Sequence, residues 1–112
     1  MKPVQLSRRL VLEEMAEGSD GAGGIVQSWQ ALGMVWAEVT AGAGRDFGAE
    51  EVVLARVGYR ITVRGAEIGT PRRPRAGQRF RDGARVFAIL AVAERDAAAQ
   101  YLTCFCREEE PR

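Results

Sequence analysis

The stretch that decides the organisation of the chain is residues 35–63, VWAEVTAGAGRDFGAEEVVLARVGYRITV. At its start (35–40) and at its end (57–63), apolar residues occupy every second position. This period of two predicts two half-buried strands that lie side by side in a sheet. The intervening residues, 41–56, are far more than a hairpin turn needs, and long connections usually serve a function. We therefore interpret this loop as the functional part of the chain.

Composition restricts the kind of protein. The 112 residues are 46% hydrophobic and 28% charged, with a formal net charge of +1. These values are typical of one soluble domain over residues 1–112, without a global charge that would attract nucleic acid or a membrane. The longest apolar runs are shorter than the roughly 20 residues of a membrane helix, and the N-terminus lacks the apolar region of a secretory signal. We therefore expect no membrane association, a cytoplasmic location, and reduced thiols at Cys104 and Cys106.

The segments before residue 35 also resemble strands. The run at 4–15 alternates like a strand, although its helix formers, with Ser7 as a potential cap, leave a helix open; we predict a strand. Four glycines within 18–24 predict a mobile, exposed hairpin tip. Residues 25–31 alternate again, and Leu32-Gly33 predicts a break before the run that begins at Met34.

The segments after residue 63 complete an all-β pattern. Residues 64–77 form a Pro-, Gly- and Arg-rich connection that excludes a helix or a central strand. Asp82-Gly83 predicts a tight turn between two strands, the second with either its even positions (86–92) or Phe87 and Ile89 inward. A last strand at 101–106 precedes a charged, flexible tail at about 107–112. We predict a small antiparallel β-barrel of about six strands, with one long loop between the central strands.

The residue inventory does not favour catalysis or metal binding. The chain contains no histidine, so that Ser-His and Cys-His pairs are excluded. Glu50 and Glu51 are adjacent, and adjacent strand residues point to opposite faces, so solvated charges explain them better than an acid–base pair. Two cysteines without further ligands do not complete a zinc site. We predict a non-enzyme without cofactor or metal.

An arginine cluster is the main charge feature. It comprises Arg60, Arg64, Arg72, Arg73, Arg75, Arg79, Arg81 and Arg85, and acids stand near both ends of the chain, at Glu13, Glu14, Glu17, Asp20 and Glu108 to Glu110. One interpretation is a phosphate-binding face at about 72–85. Another is a head-to-tail contact between basic and acidic sides of neighbouring subunits, which closes a ring. A solvated surface is the third. Because exposed aromatics are not interleaved with the arginines, a protein contact is favoured over nucleic acid.

In the order of its features, the chain resembles the head-tail joining proteins of tailed bacteriophages, the stopper or head-completion family. The resemblance covers 6–108 and rests on these motifs: Val26-Gln27-Ser28-Trp29 after a Gly-rich turn, Val35-Trp36-Ala37-Glu38-Val39, Tyr59-Arg60-Ile61-Thr62-Val63-Arg64, Gly77-x-Arg79-Phe80, Gly83-x-Arg85-Val86-Phe87-Ala88-Ile89 and Leu102-Thr103-Cys104. The Pro- and Arg-rich segment 64–76 departs from it. The Ala-, Gly- and Arg-rich composition indicates a GC-rich genome. The resemblance fits a phage-derived particle such as a gene transfer agent as well as it fits a true phage.

The resemblance implies a ring of six copies, or alternatively twelve, in the neck of a virion or phage-like particle assembled in the bacterial cytoplasm. The ring would contact a portal or adaptor ring, a tail terminator or tail tube, and packaged DNA. Loop 41–56 would enter and close the channel, with Gly42 and Gly44 as hinges. Its residues would be Gly42, Gly44, Arg45, Asp46, Glu50, Glu51, Val53, Leu54 and Arg56, and the subunit or DNA contacts would be Arg60, Arg64, Arg72, Arg73, Arg75 and Arg79. A tail-terminator ring and a nucleic-acid-binding barrel are the alternatives.

Overall fold

A computed structural model describes residues 3–42 and 58–109 of the chain. Over these residues the fold consists of six strands: β1 (Arg8–Ser19), β2 (Ile25–Ala41), β3 (Gly58–Arg64), β4 (Arg79–Asp82), β5 (Arg85–Glu94) and β6 (Tyr101–Glu109). Each strand pairs antiparallel with its neighbours in the order β1-β2-β3-β6-β5-β4, and β4 returns to β1. The predicted all-β barrel is confirmed. No helix in the described ranges is long and apolar enough to cross a bilayer.

The interior of the barrel is filled by residues that alternate along the strands. Phe80 and Phe87 are fully buried, and β3 places Ile61 and Val63 beside Leu102. Burial of a side chain of this size contributes about 1.5–3 kcal/mol, so this cluster is the main source of stability. The two runs at the ends of 35–63 are neighbours, as predicted, because Ala37 pairs with Val63 and Ala41 pairs with Tyr59.

Two β-bulges explain features that regular alternation does not. In β2, Leu32 is the extra residue, since Leu12 pairs with Gly33 and Glu13 pairs with Ala31. The predicted break at Leu32-Gly33 is therefore wrong, because β2 continues through it. A bulge also inserts an extra residue into the inward–outward alternation, and on the opposite strand the consecutive residues Leu12 and Glu13 are both buried.

The second bulge lies in β5 and resolves which face of that strand is inward. Phe87 and Ile89 are buried, Leu90 is the extra residue, and Val92 packs against the core after it. Each of the two predicted faces is therefore inward along part of the strand. The turn before β5 is tight, as predicted, and its first residue, Gly83, has a φ of 61°, the positive value that two-residue hairpin loops require.

The ends of two segments differ from the prediction. Arg107 and Glu108, which were expected in a flexible charged tail, belong to β6 and pair with Ala88 and Phe87. The glycine-rich tip at 20–24 is exposed, as predicted, but it is fixed by hydrogen bonds. Asp20 Oδ1 accepts hydrogen bonds from the backbone amides of Ala22 at 2.7 Å and Gly24 at 2.9 Å. These bonds also lower the pKa of Asp20, so its carboxylate is charged at neutral pH.

Candidate functional site

The predicted channel loop connects β2 to β3. Its two ends lie side by side, because the amide of Gly42 donates a hydrogen bond to the carbonyl oxygen of Gly58 at 2.8 Å. Of the residues predicted for the loop, Gly42 lies at this junction. The others lie outside the described residues: Gly44, Arg45, Asp46, Glu50, Glu51, Val53, Leu54 and Arg56.

A buried ion-pair network joins β1 to β4. The Glu13 side chain is only 5% exposed, and its two oxygens contact Arg79 Nε at 2.7 Å and Arg81 Nε at 3.0 Å. The guanidinium of Arg79 also stacks on Trp29, 4.1 Å from the ring centroid, a favourable cation–π geometry. The two guanidiniums compensate for the burial of this carboxylate, and the ion pairs link β4 to β1.

A second network joins β5 to β6. Arg85 makes a bidentate pair with Glu108, with Nε–Oε2 at 2.7 Å and Nη2–Oε1 at 3.0 Å, and Nη2 also donates to the Tyr59 hydroxyl at 3.2 Å. The hydrogen bonds from Arg85 lower the pKa of Glu108 and raise the pKa of Arg85. Both groups are therefore charged at neutral pH, and the pair anchors the C-terminal end of β6.

These pairs change the interpretation of the arginine cluster. Glu13, Glu14 and Glu108 were expected to face the arginines of a neighbouring subunit or to be solvated, but they pair within their own chain; the partner of Glu14 is Arg75, at 2.7 Å. An arginine neutralised by its own carboxylate contributes little to phosphate binding. The structure therefore does not support one continuous basic face over 72–85.

The six arginines predicted as contact residues are not brought to a single site. Arg75 and Arg79 are in ion pairs, and Arg73 Nη1 donates to the carbonyl oxygen of Ala66 at 3.0 Å. Arg60 lies half-buried in β3 and has a partner of its own. Arg64 and Arg72 are exposed and make no ion pair with any residue in the described ranges.

These two arginines lie at a surface groove of about 780 Å³. We define the groove by the residues Leu6, Met34, Trp36, Val63, Arg64 and Arg72, which line it. Met34 is 59% exposed and Trp36 is 56% exposed. The groove thus combines uncovered apolar side chains with two cations that have no acidic partner among the described residues, a combination typical of protein-binding surfaces.

A second surface was missed by the sequence analysis. β1 pairs with β4 only at 11–13, and β2 pairs with β3 only from Ala37 onward. Residues 14–30 therefore form a two-stranded hairpin that extends beyond the barrel, and we call it the arm. The alternation at 25–31 predicts a half-buried strand, but Ile25 is 73% exposed and Val26 is 48% exposed. One signal in the sequence could have indicated the arm. No basic residue occurs between Arg9 and Arg45, so every charged side chain of this long segment is acidic.

The described residues contain little that could support chemistry. No group of three or more metal-ligating side chains occurs within residues 3–42 and 58–109. Cys104 and Cys106 are both buried in the barrel and are not joined by a disulfide. Burial raises the pKa of Cys104 to about 12 and raises that of Cys106 as well, so neither thiol is a nucleophile at neutral pH.

The fold is a closed six-stranded barrel with a long β2–β3 connection and an exposed groove that carries apolar side chains and two arginines. The family model of the phage head completion protein matches residues 1–109. The chain therefore belongs to the phage head completion protein family, and the resemblance drawn from its motifs is confirmed.

Solved structures agree with this assignment. A chain in the virion of a native gene transfer agent particle is 54% identical; 100% of each chain is covered, with a TM-score of 0.75. A Shigella flexneri 2a protein known from its solution structure is 24% identical, again with 100% of each chain covered and a TM-score of 0.76; at that identity it shows the fold alone. No curated protein matches the chain.

Proposed function

We propose that this protein is a non-enzymatic connector subunit of the stopper type in a phage-like particle, and that it forms a ring between the portal or adaptor and the tail. The observation that carries the proposal is the 54% identity, over the whole of both chains, with a component of a gene transfer agent virion. A ring of six copies is the first choice and twelve the alternative. The particle is assembled in the bacterial cytoplasm, and the protein occupies its neck.

The mechanism is mechanical. The barrel is the rigid frame, and the ends of the loop are fixed beside each other by the Gly42–Gly58 hydrogen bond. A loop anchored in this way moves about its two ends without disturbing the core. The loop closes the DNA channel before the tail attaches, with Gly42 and Gly44 as hinges. The resemblance to stopper proteins supports this closure, and residues 43–57 lie outside the described residues.

The proposed position is tested by removing the protein from a producing strain and imaging the particles. The expected result is heads that lack tails and have lost their packaged DNA, with both tails and DNA retention restored by the wild-type gene. Tailed particles of normal appearance in the absence of the protein would refute the connector role. Imaging of the restored neck also distinguishes a ring on the head side from a tail-terminator ring, and it counts the copies.

The proposed gate is tested by a variant that shortens only the loop. Because Gly42 and Gly58 already lie at hairpin distance, a two-residue Asn-Gly turn can replace 43–57. The variant should fold and enter particles, and those particles should lose DNA before tail attachment, measured as nuclease-sensitive DNA. Particles that contain the variant and retain their DNA would remove the loop from the mechanism.

A further inference from the structure

The arm contacts the rest of its own subunit at Glu14 and Trp29, and its outer part is left uncovered by a single subunit. Above the barrel its strands pair only with each other, from Met15↔Trp29 to Ser19↔Ile25, and an isolated two-stranded ribbon is at best marginally stable in water. It nevertheless exposes Met15 at 43%, Ile25 at 73% and Val26 at 48%. Its tip is fixed by the hydrogen bonds of Asp20. An ordered ribbon with uncovered apolar side chains is typical of a segment that docks on a partner.

The charge of the arm indicates the chemistry of that partner. Its charged residues are Glu14, Glu17 and Asp20, without a lysine or arginine among 14–30. Glu14 pairs with Arg75 of its own chain and Asp20 accepts the hydrogen bonds of the tip, so Glu17 is the carboxylate of the arm that a partner can contact. Such a segment is repelled by DNA phosphates and by anionic lipid headgroups. The complementary surface must combine cations with apolar side chains, because only that combination covers Ile25 and Val26 and also faces the carboxylates.

The groove of this same chain has those properties. Trp36 and Met34 supply exposed apolar area, and Arg64 and Arg72 supply cations that have no acidic partner among the described residues. Within one subunit the arm tip does not reach it. Ile25 and Trp36 lie in the same continuous strand, and at about 3.3 Å per residue they are about 36 Å apart. Docking of this arm in this groove therefore requires a second copy.

We infer that the arm of each subunit lies in the groove of the adjacent subunit, with Ile25 and Val26 against Trp36 and Met34 and with Glu17 facing Arg64 and Arg72. The contact is heterologous, and a heterologous contact repeated by a rotation that closes gives a ring. This inference rests on the proposed ring and specifies the surfaces that form it.

A photo-crosslinking experiment in assembled particles tests the contact. A photoreactive amino acid is placed at Ile25 in the full chain, with Val26 as a second position and Ala97, exposed in the β5–β6 turn, as the matched control. After irradiation of purified particles, the expected product is a crosslinked dimer of this chain in which the partner peptide contains Trp36 or 64–72. The control position should not give that product.

The outcomes separate this inference from the proposed function. If Ile25 and Val26 crosslink to a different virion protein, or to another face of this chain, the arm–groove contact is overturned and the structural role stands. If the protein is absent from purified particles, the proposed function itself fails.

A charge reversal gives an independent readout. Glu17→Arg and Arg72→Glu should each reduce incorporation into particles at least about tenfold, because like charges face each other in an interface. The double variant should restore incorporation. Two single variants that incorporate normally, or a double variant that is no better than either, would overturn the inference.

Discussion

The buried Glu13 network allows a quantitative prediction. In Glu13→Gln the side-chain shape is kept, but the carboxylate between Arg79 and Arg81 is lost. Arg79 is only 18% exposed and Arg81 is 47% exposed, so one guanidinium remains buried without a counter-charge while the other is solvated. Removing one partner of a buried ion pair lowers the free energy of unfolding by about 3–5 kcal/mol. Because Arg81 is partly solvated, we expect a loss at the lower end of this range, about 3 kcal/mol.

The measurement is urea unfolding followed by fluorescence of the two tryptophans. With a slope of about 1–3 kcal/mol per molar urea, the midpoint should fall by about 1–3 M. Glu17→Gln, on the same strand but exposed, is the matched control and should stay within about 0.5 kcal/mol of wild type. Unfolding is measured at two protein concentrations so that subunit dissociation is recognised.

A double-mutant cycle isolates the pairwise contribution. In an Arg79→Gln background, Glu13→Gln should be much less destabilising than in the wild type, because no buried guanidinium is then left unpaired. If Glu13→Gln costs no more than Glu17→Gln, or if its cost is unchanged in the Arg79→Gln background, the network is not the stabilising element that joins β4 to β1.

Three further predictions follow from the packing and the pKa shifts. Gly65→Ala should destabilise the fold by about 1–3 kcal/mol, because a Cβ there meets the carbonyl oxygen of Ala99; Gly18→Ala, whose Cβ meets nothing within 4 Å, is the control, and equal melting temperatures would contradict the contact. Both cysteine thiols should resist a thiol reagent at pH 8 in the native protein and react fully in urea, because burial raises their pKa; rapid labelling of the folded protein would contradict their burial. Glu108→Gln should cost about 0.5–1 kcal/mol at pH 7, since Arg85 is partly solvated. The folded pKa of Glu108 lies below its ordinary value of 4.5, so this contribution is fully present above pH 4.5 and is lost as the pH falls through the folded pKa; a wild-type advantage that persists unchanged in strong acid would refute it.

The parts of the fold that could be predicted from the sequence are those with a local signal. Period-two alternation located β3 and the barrel portion of β2, and Asp82-Gly83 located a tight turn. The bulges at Leu32 and Leu90 could not be predicted in this way, because a bulge depends on how two strands pair. Within one strand it only shifts the alternation of inward and outward residues by one position.

The candidate surfaces were predictable only in part. The arginine cluster is visible in the sequence, but which arginines remain available depends on pairs formed across the sheet, such as Glu13 with Arg79, 66 positions away. Sequence proximity grouped Arg72 with Arg75, whereas the structure leaves the first exposed at the groove and gives the second its own carboxylate. Alternation at 25–31 predicts a half-buried strand because it distinguishes two faces of the strand. It does not show whether another part of the protein covers either face, and in the arm Ile25 and Val26 are exposed.

The closure of the barrel has a mechanical consequence. β4 pairs with β1 at only three positions: Val11↔Arg81, Leu12↔Phe80 and Glu13↔Arg79. This short ladder lies where β1 continues beyond the barrel into the arm. Tension applied to the projecting ribbon is therefore transmitted first to the shortest ladder of the sheet. The Glu13 ion pairs join the same two strands and reinforce this ladder. A load that broke them would separate β4 from β1 first, while the longer β5–β6 ladder remained paired.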